Sequence, residues 1–220
     1  KDFDLLQRAN NDYTTIDLEH AEELAYRELI DSIRYIPLGD ECGVMGNIAN
    51  IITYKGRFYI QEEQFDRVFI YDDTGRCLKK IDNKGRGPGE YLRIESIDIN
   101  TEKEELMLVD GMSDKLFFYD LDGNFKSIHS IRYFQTENTL CLRDSVFLHI
   151  SAPSQNFGNE GLYGYALVLS KGNENFLKGY RYLPLQVGYK GGGQIFKGYE
   201  RSCYHPIYSD TIYQILSDTT

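Results

Sequence analysis

Residues 69–76, Phe-Ile-Tyr-Asp-Asp-Thr-Gly-Arg, decide the fold because a close copy returns as residues 117–124, Phe-Phe-Tyr-Asp-Leu-Asp-Gly-Asn. Tyr71 and Tyr119 are 48 residues apart. Each copy has the pattern of an apolar strand that ends in an Asp/Gly turn, since Gly accepts a positive φ and Asp closes the turn with its side chain. The repeat predicts successive copies of one β-sheet unit.

Strand patterns flank both copies, so that each unit has four antiparallel strands. The other strands of the two units are predicted at 49–53, 57–61 and 77–81, and at 95–99, 105–109 and 125–131. A third, looser copy has an insertion from Ser151 to Leu162, and a fourth is one strand short. The predicted units span 44–82, 95–131, 138–184 and 194–216.

Repeated four-stranded meanders predict an all-β protein, a β-propeller, because one such sheet cannot bury both faces and must stack on its neighbours. The propeller domain is predicted from residue 32 to 220, after a lead-in, 1–31, that contains a short helix between Asp17 and Ile30. The alternating segment 33–38 is predicted to be a strand that completes the last sheet, which would remove exposed edges.

The amino-acid composition argues against several classes of binding partner. The formal net charge is -10 and no basic cluster is present, which argues against nucleic acid and anionic membranes. No apolar run is long enough to span a bilayer. The chain starts at Lys1, and we interpret it as a trimmed or mature form. The four cysteines form no Cys-x-x-Cys pair, so they are interpreted as separate buried thiols, with one or two disulfides as the alternative for an exported protein.

The run Lys84-Gly85-Arg86-Gly87-Pro88-Gly89-Glu90-Tyr91, which follows the first repeat, resembles the 6-bladed β-propeller family. Those proteins are exported from Gram-negative anaerobes, often as lipoproteins, and are related in architecture to NHL-repeat propellers. The segments 35–38 and 209–215 fit the same pattern. The resemblance implies an exported binding or scaffold protein in the periplasm or at the outer-membrane surface, and implies no catalytic residues. Six blades need roughly 280 residues at this period, whereas this chain holds about four.

The glycine-rich run allows two interpretations. Arg86 and Glu90 could present a charged handle above backbone N–H groups that bind an anion. Alternatively the run is a corner between two sheets, in which Gly85, Gly87 and Gly89 permit unusual φ angles and Pro88 fixes the turn. The corner explains every residue type without a ligand.

A second candidate site comes from aligning the second strands of the units. That alignment places His149 and His205 in one column, next to Glu62 and Asp110. If the column faced the ring axis, these side chains could form an acid–base or metal cluster. Isolated histidines without ligand spacing are mostly structural, so no metal and no cofactor is predicted.

Tyrosines offer a third candidate. Tyr163 and Tyr165 stand beside the 151–162 insertion and could line a carbohydrate or peptide surface, since Tyr combines a flat apolar face with a hydroxyl. Packing between sheets is the plainer interpretation. Long loops on a rigid scaffold commonly carry recognition, which makes the insertion a candidate for specificity.

The sequence therefore favours a non-catalytic binding propeller that recognises a glycan, peptide or protein partner. The alternative is a propeller lyase or hydrolase with a His/carboxylate site in the channel. A structural subunit whose open edges are closed by another chain is the third hypothesis. The sequence does not determine the oligomeric state.

Overall fold

The computed structural model describes residues 30–131, 136, 138–143, 145–151, 161–172, 175–182, 193–197, 202–206 and 211–215. These residues form fifteen strands and no helix. The predicted helix between Asp17 and Ile30 lies almost entirely outside this part of the chain, and so does most of the 151–162 insertion.

The strands form four antiparallel sheets in chain order, each a meander. The first sheet contains β1 (Ile48–Tyr54), β2 (Arg57–Glu62), β3 (Arg67–Asp72) and β4 (Cys77–Ile81). The second contains β5 (Ser96–Asn100), β6 (Glu105–Asp110), β7 (Lys115–Asp120) and β8 (Phe125–Ser130). The third contains β9 (Asn138–Arg143), β10 (Val146–Ile150), β11 (Tyr165–Lys171) and β12 (Asn175–Tyr182). The fourth contains β13 (Gln194–Lys197), β14 (Ser202–His205) and β15 (Tyr213–Ile215).

Apolar side chains hold neighbouring sheets face to face. Because alternate residues of a strand point to opposite faces, β3 directs Val68 and Ile70 towards the second sheet, where they share one cluster with Leu108 and Phe117. A second cluster joins the second and third sheets, and a third joins the third and fourth. The first strands of successive sheets, β1, β5 and β9, are also in contact. This stacking is that of a β-propeller, and it confirms the predicted fold class.

The number of sheets departs from the family that the sequence resembles. The described residues form four sheets, three with four strands and one with three, rather than six. The 48-residue period had already limited the chain to about four units. Nothing in the described residues identifies NHL repeats.

The segment before β1 does not take the predicted role. Residues 33–38 form no strand, and the fourth sheet has three strands in the part of the chain that the structure describes. The segment lies instead along the first sheet, where Gly39 N–H donates to the Gly75 carbonyl oxygen (2.8 Å) and Arg34 donates to the Asp73 carbonyl oxygen (2.9 Å). The Cys42–Cys77 disulfide fixes it to β4. It packs on the face of the first sheet that points away from the second sheet.

Within the described residues there is no helix with the length and apolar character that crossing a membrane requires.

Candidate functional site

Glu62 and Asp110 occupy equivalent positions at the ends of β2 and β6, and both are buried. The Glu62 carboxylate accepts hydrogen bonds from the backbone N–H groups of Gln64 (2.9 Å) and Phe65 (3.2 Å). Asp110 accepts from Met112 and Ser113 in the corresponding turn, and its second oxygen accepts from Leu92 N–H (2.7 Å). These carboxylates therefore close the hairpin turns of their own sheets.

His149 is buried in the middle of the third sheet. One ring nitrogen, Nδ1, lies 2.9 Å from Thr139 Oγ1, and the other, Nε2, lies 2.8 Å from Ser170 Oγ. Burial lowers the pKa of His149 to about 3, so the ring is neutral at neutral pH. A neutral imidazole with both nitrogens engaged inside a sheet is suited to structure rather than to proton transfer.

The alignment that placed His149 in one column with Gln61 and Val109 is also off by one residue in β10. Gln61 donates to the carbonyl oxygen of Ile94, just before β5 (3.0 Å), and Val109 packs against the third sheet. The residue of β10 on the corresponding face is Ile150, which packs in the cluster with the fourth sheet. Counted from the first residue of each strand, Ile150 rather than His149 corresponds to Gln61 and Val109, and an offset of one residue moves a side chain to the opposite face.

His205 lies half-buried in β14 opposite Gln194 of β13. Among the described residues, no three His, Cys, Asp or Glu side chains are grouped closely enough to hold a metal ion. The four residues of the predicted His/carboxylate site therefore do not form a metal-binding group in this part of the chain.

The glycine-rich run forms a closed corner between the first and second sheets. Its two ends meet through Gly85 N–H, which donates to the Tyr91 carbonyl oxygen (2.9 Å). Glu90 accepts from Gly87 N–H (2.7 Å), and a Cβ on Gly85 would lie 2.0 Å from a Glu90 carboxylate oxygen. The buried Tyr91 hydroxyl donates to the Asp66 carbonyl oxygen (2.8 Å). Gly89, with a φ of 81°, takes the left-handed conformation that Gly allows.

Arg86 differs from Glu90 within this corner. Its side chain is exposed and forms no hydrogen bond or ion pair with any residue that the structure describes. The corner thus needs its glycines, Glu90 and Tyr91 for its own geometry and leaves Arg86 at the surface.

Tyr165 is the first residue of β11, Tyr163 lies in the turn just before it, and both are half-buried. Tyr165 packs against Leu162 and Val168, and its ring covers Gly179 of β12, where a Cβ would lie 2.5 Å from the ring. Tyr165 therefore fills the space that the missing side chain of Gly179 leaves. This contact gives Tyr165 a packing role.

One site was not found in the sequence, a cleft of about 170 Å³ between the second and third sheets. Six polar residues and two phenylalanines line it: Asn100, Lys103, Glu105, Ser127, His129, Ser145, Phe118 and Phe147. Lys103 Nζ donates to Ser145 Oγ (2.6 Å) across the cleft. The sequence repeat does contain a sign of this cleft, because the polar residue His129 takes the position that the apolar residue Ile81 has in the first sheet.

An ion pair between a buried carboxylate and a partly exposed lysine lies beside the first strands of the sheets. Asp98 of β5 is buried, and one carboxylate oxygen is 2.5 Å from Lys197 Nζ of β13. The other oxygen accepts from Cys141 N–H of β9 (2.8 Å). Burial raises the pKa of Asp98, and the Lys197 charge opposes that rise. The pair links the second, third and fourth sheets.

The stacked antiparallel meanders define this protein as a β-propeller. The chain belongs to the family of the domain of unknown function DUF4934, which matches residues 13–220. No curated protein matches the sequence significantly.

Two solved structures are similar to this chain to different degrees. One is a Bacteroides fragilis protein presumed to be exported, with 19% identity and a TM-score of 0.72 over 85% of this chain and 53% of that one. The other is a member of the DUF4221 family from Bacteroides vulgatus, with 10% identity and a TM-score of 0.48 over 78% of this chain and 55% of that one. This chain spans about half the length of each.

Proposed function

We propose that this protein is an exported, non-catalytic propeller that binds a glycan, peptide or protein partner at the cell envelope. The proposal rests mainly on the structural roles that the candidate catalytic side chains already have. Glu62 and Asp110 close turns, and both nitrogens of His149 are hydrogen-bonded within a sheet. The fold also presents a rigid surface with a polar cleft between two sheets, and such a surface is suited to binding a ligand.

Export is supported by the Cys42–Cys77 disulfide, since disulfides persist mainly in oxidising compartments. The similar Bacteroides fragilis protein is presumed to be exported. We place this protein in the periplasm or at the outer-membrane surface, as a lipoprotein, in line with the family that its glycine-rich corner resembles.

The net charge of the protein limits the charge that its binding partner can carry. With a formal net charge of -10, the protein repels polyanions at long range and favours neutral or basic partners. Neutral glycans and basic peptides fit this condition, whereas nucleic acids do not.

A binding screen tests the proposal. The purified, disulfide-bonded protein is presented to arrays of glycans and of peptides, and each bound ligand is afterwards analysed by mass spectrometry. We expect saturable binding and recovery of an intact ligand. Time-dependent cleavage of a bound ligand, abolished by His205→Ala, would instead support the lyase or hydrolase alternative.

A further inference from the structure

The first sheet has a face that no other sheet covers in the part of the chain that the structure describes. In the second sheet, Ile97 of β5 packs towards the first sheet and is only 3% exposed. Ile51 holds the equivalent position in β1, since it pairs with the fourth residue of β2 as Ile97 pairs with the fourth residue of β6. Ile51 is nevertheless 52% exposed. The repeat therefore identifies what Ile51 lacks, which is a preceding sheet.

The segment before β1 covers only part of this face. Cys42 and Met45 pack against the buried side chains of Ile60, Phe69 and Tyr71, which belong to β2 and β3. Strand β1 contributes no residue to that cluster. The segment therefore shields the middle of the first sheet and leaves its first strand open.

The outer surface of the covering segment is itself apolar. Tyr35 and Val44 are 87% and 85% exposed, and Ile33 is exposed as well. Residues 33–38 make no backbone–backbone hydrogen bond with another described residue, so this stretch also offers an unpaired backbone edge. Exposed apolar side chains grouped on one side of a fold mark an interaction site.

The fourth sheet has the complementary open face among the described residues. Tyr204 and Tyr213 pack towards the third sheet, whereas Cys203 and Gln214, which pair across β14 and β15, point to the other face. No apolar cluster of the described residues joins that face to the first sheet. Every junction inside the chain joins the following face of one sheet to the preceding face of the next. The two open faces of the chain are one of each kind.

We propose that the open face of the first sheet docks on the fourth sheet of a second copy of this chain, an inference independent of the proposed binding function. The contact repeats the interface that already joins successive sheets and brings residues 33–38 next to the last sheet of the second copy. Made twice about a twofold axis, it closes a ring with four sheets from each copy, within the upper limit of about eight known for propellers. The matched part of this chain spans 53% of the similar Bacteroides fragilis protein, so two copies supply about the length of that chain.

Analytical ultracentrifugation of the full disulfide-bonded chain tests the proposal. We expect a reversible dimer with a dissociation constant on the order of 10 μM. Tyr35→Glu and Val44→Glu should each raise that constant at least about tenfold, because each places a charge in an apolar contact. Both side chains are exposed in the single chain, so both variants should fold, which circular dichroism checks. Met112→Glu is the matched control, because Met112 is an exposed apolar residue in the β6–β7 turn of the second sheet, and it should leave the constant unchanged.

Thiol labelling identifies the surface on which the first sheet docks. Cys203 lies on the open face of the fourth sheet, so the rate constant for its reaction with a maleimide should fall as the protein concentration rises. The buried Cys141 is the slow internal reference, and in Val44→Glu the Cys203 rate constant should not depend on concentration.

A protein that stays monomeric up to about 0.1 mM would overturn the proposal. So would dimers that the Tyr35 and Val44 variants leave intact, or dimers that Met112→Glu weakens equally. Labelling of Cys203 in the wild type that does not depend on concentration, or growth into oligomers longer than two copies, would exclude the closed pair.

Discussion

At the scale of single residues, the structure assigns different roles to groups that look alike in the sequence. His149 and His129 are both surrounded by protein, but the first has both nitrogens hydrogen-bonded and the second leaves Nδ1 without a described partner. The repeat alignment identified His149 as a candidate because it was off by one residue in β10, where Ile150 and not His149 corresponds to Gln61 and Val109. Successive residues of a strand point to opposite faces, so an offset of one residue reverses the predicted face.

The depressed pKa of His149 predicts a pH dependence of folding. The ring titrates near pH 6.5 when unfolded and near 3 when folded, so the unfolded state binds more protons between these values. Its contribution to stability is complete above pH 6.5 and is lost as the pH falls towards 3. Urea unfolding at pH 7.5 and 4.5 should show a smaller loss in His149→Gln than in the wild type. The same loss in the variant, or an equal effect of the control His205→Gln, would contradict this role.

Glu90 and Arg86 should differ in their contribution to stability. The Glu90 carboxylate holds Gly87 N–H, so Glu90→Ala should lower the free energy of unfolding by about 1 kcal/mol. Arg86→Ala removes no contact with the described residues and should change it by less than about 0.5 kcal/mol. In the sequence Arg86 and Glu90 look like a pair of equal importance, whereas in the structure only Glu90 has a hydrogen bond within the corner. A loss in the Arg86 variant as large as that in the Glu90 variant would show that the pair acts together.

At the scale of elements, the hairpins were predictable and the segment before β1 was not. The Asp/Gly turns and alternating strands fix the meanders locally, because each contact joins residues close in the sequence. Residues 33–38 have the same alternation as an edge strand, but they cover the first sheet without pairing in it. The partner of an extended segment depends on contacts far along the chain, which periodicity does not encode. The pairing of Cys42 with Cys77 is likewise a distant contact that spacing alone left open.

The disulfide should stabilise this element and the first sheet together. It joins residues 35 apart in the sequence, which on the loop-entropy account corresponds to about 4 kcal/mol. The double variant Cys42→Ser with Cys77→Ser should lose stability of that order in urea unfolding. Amide exchange at Gly39, whose N–H donates to the Gly75 carbonyl oxygen, should also become faster. Cys203→Ser is the control and should leave both measurements nearly unchanged. Normal protection at Gly39 in the double variant would mean that the other contacts suffice to hold the segment.

At the scale of the whole molecule, stacked sheets share polar as well as apolar contacts. The 48-residue repeat was enough to predict the stacking, since every unit needs a neighbour to bury its faces. It was not enough to predict the open cleft or the Asp98–Lys197 pair, because both arise from residues that depart from the repeat. Residues that deviate from the repeat are what make one interface between sheets differ from the next.

Lys197 should therefore hold the fourth sheet to the second. Lys197→Met leaves the buried Asp98 carboxylate without its charged partner, which costs about 1 to 3 kcal/mol at pH 7 because the Lys197 side chain is itself 35% exposed. The loss should shrink as the pH falls towards 4, because the burial-raised pKa of Asp98 lets the carboxyl group take up a proton. Adding Asp98→Asn should recover part of the stability. A loss that does not depend on pH, with no recovery in the double variant, would exclude the ion pair as the cause.

The central claim is that this propeller binds its ligand without changing it, and the recovery of a bound ligand tests this most directly. A glycan or peptide selected in the binding screen is incubated with a stoichiometric amount of protein for hours. It is then released and compared by mass spectrometry with the starting material. The account predicts saturable binding and complete recovery of the intact ligand. The appearance of a shortened or unsaturated product that increases with time and protein concentration would contradict it.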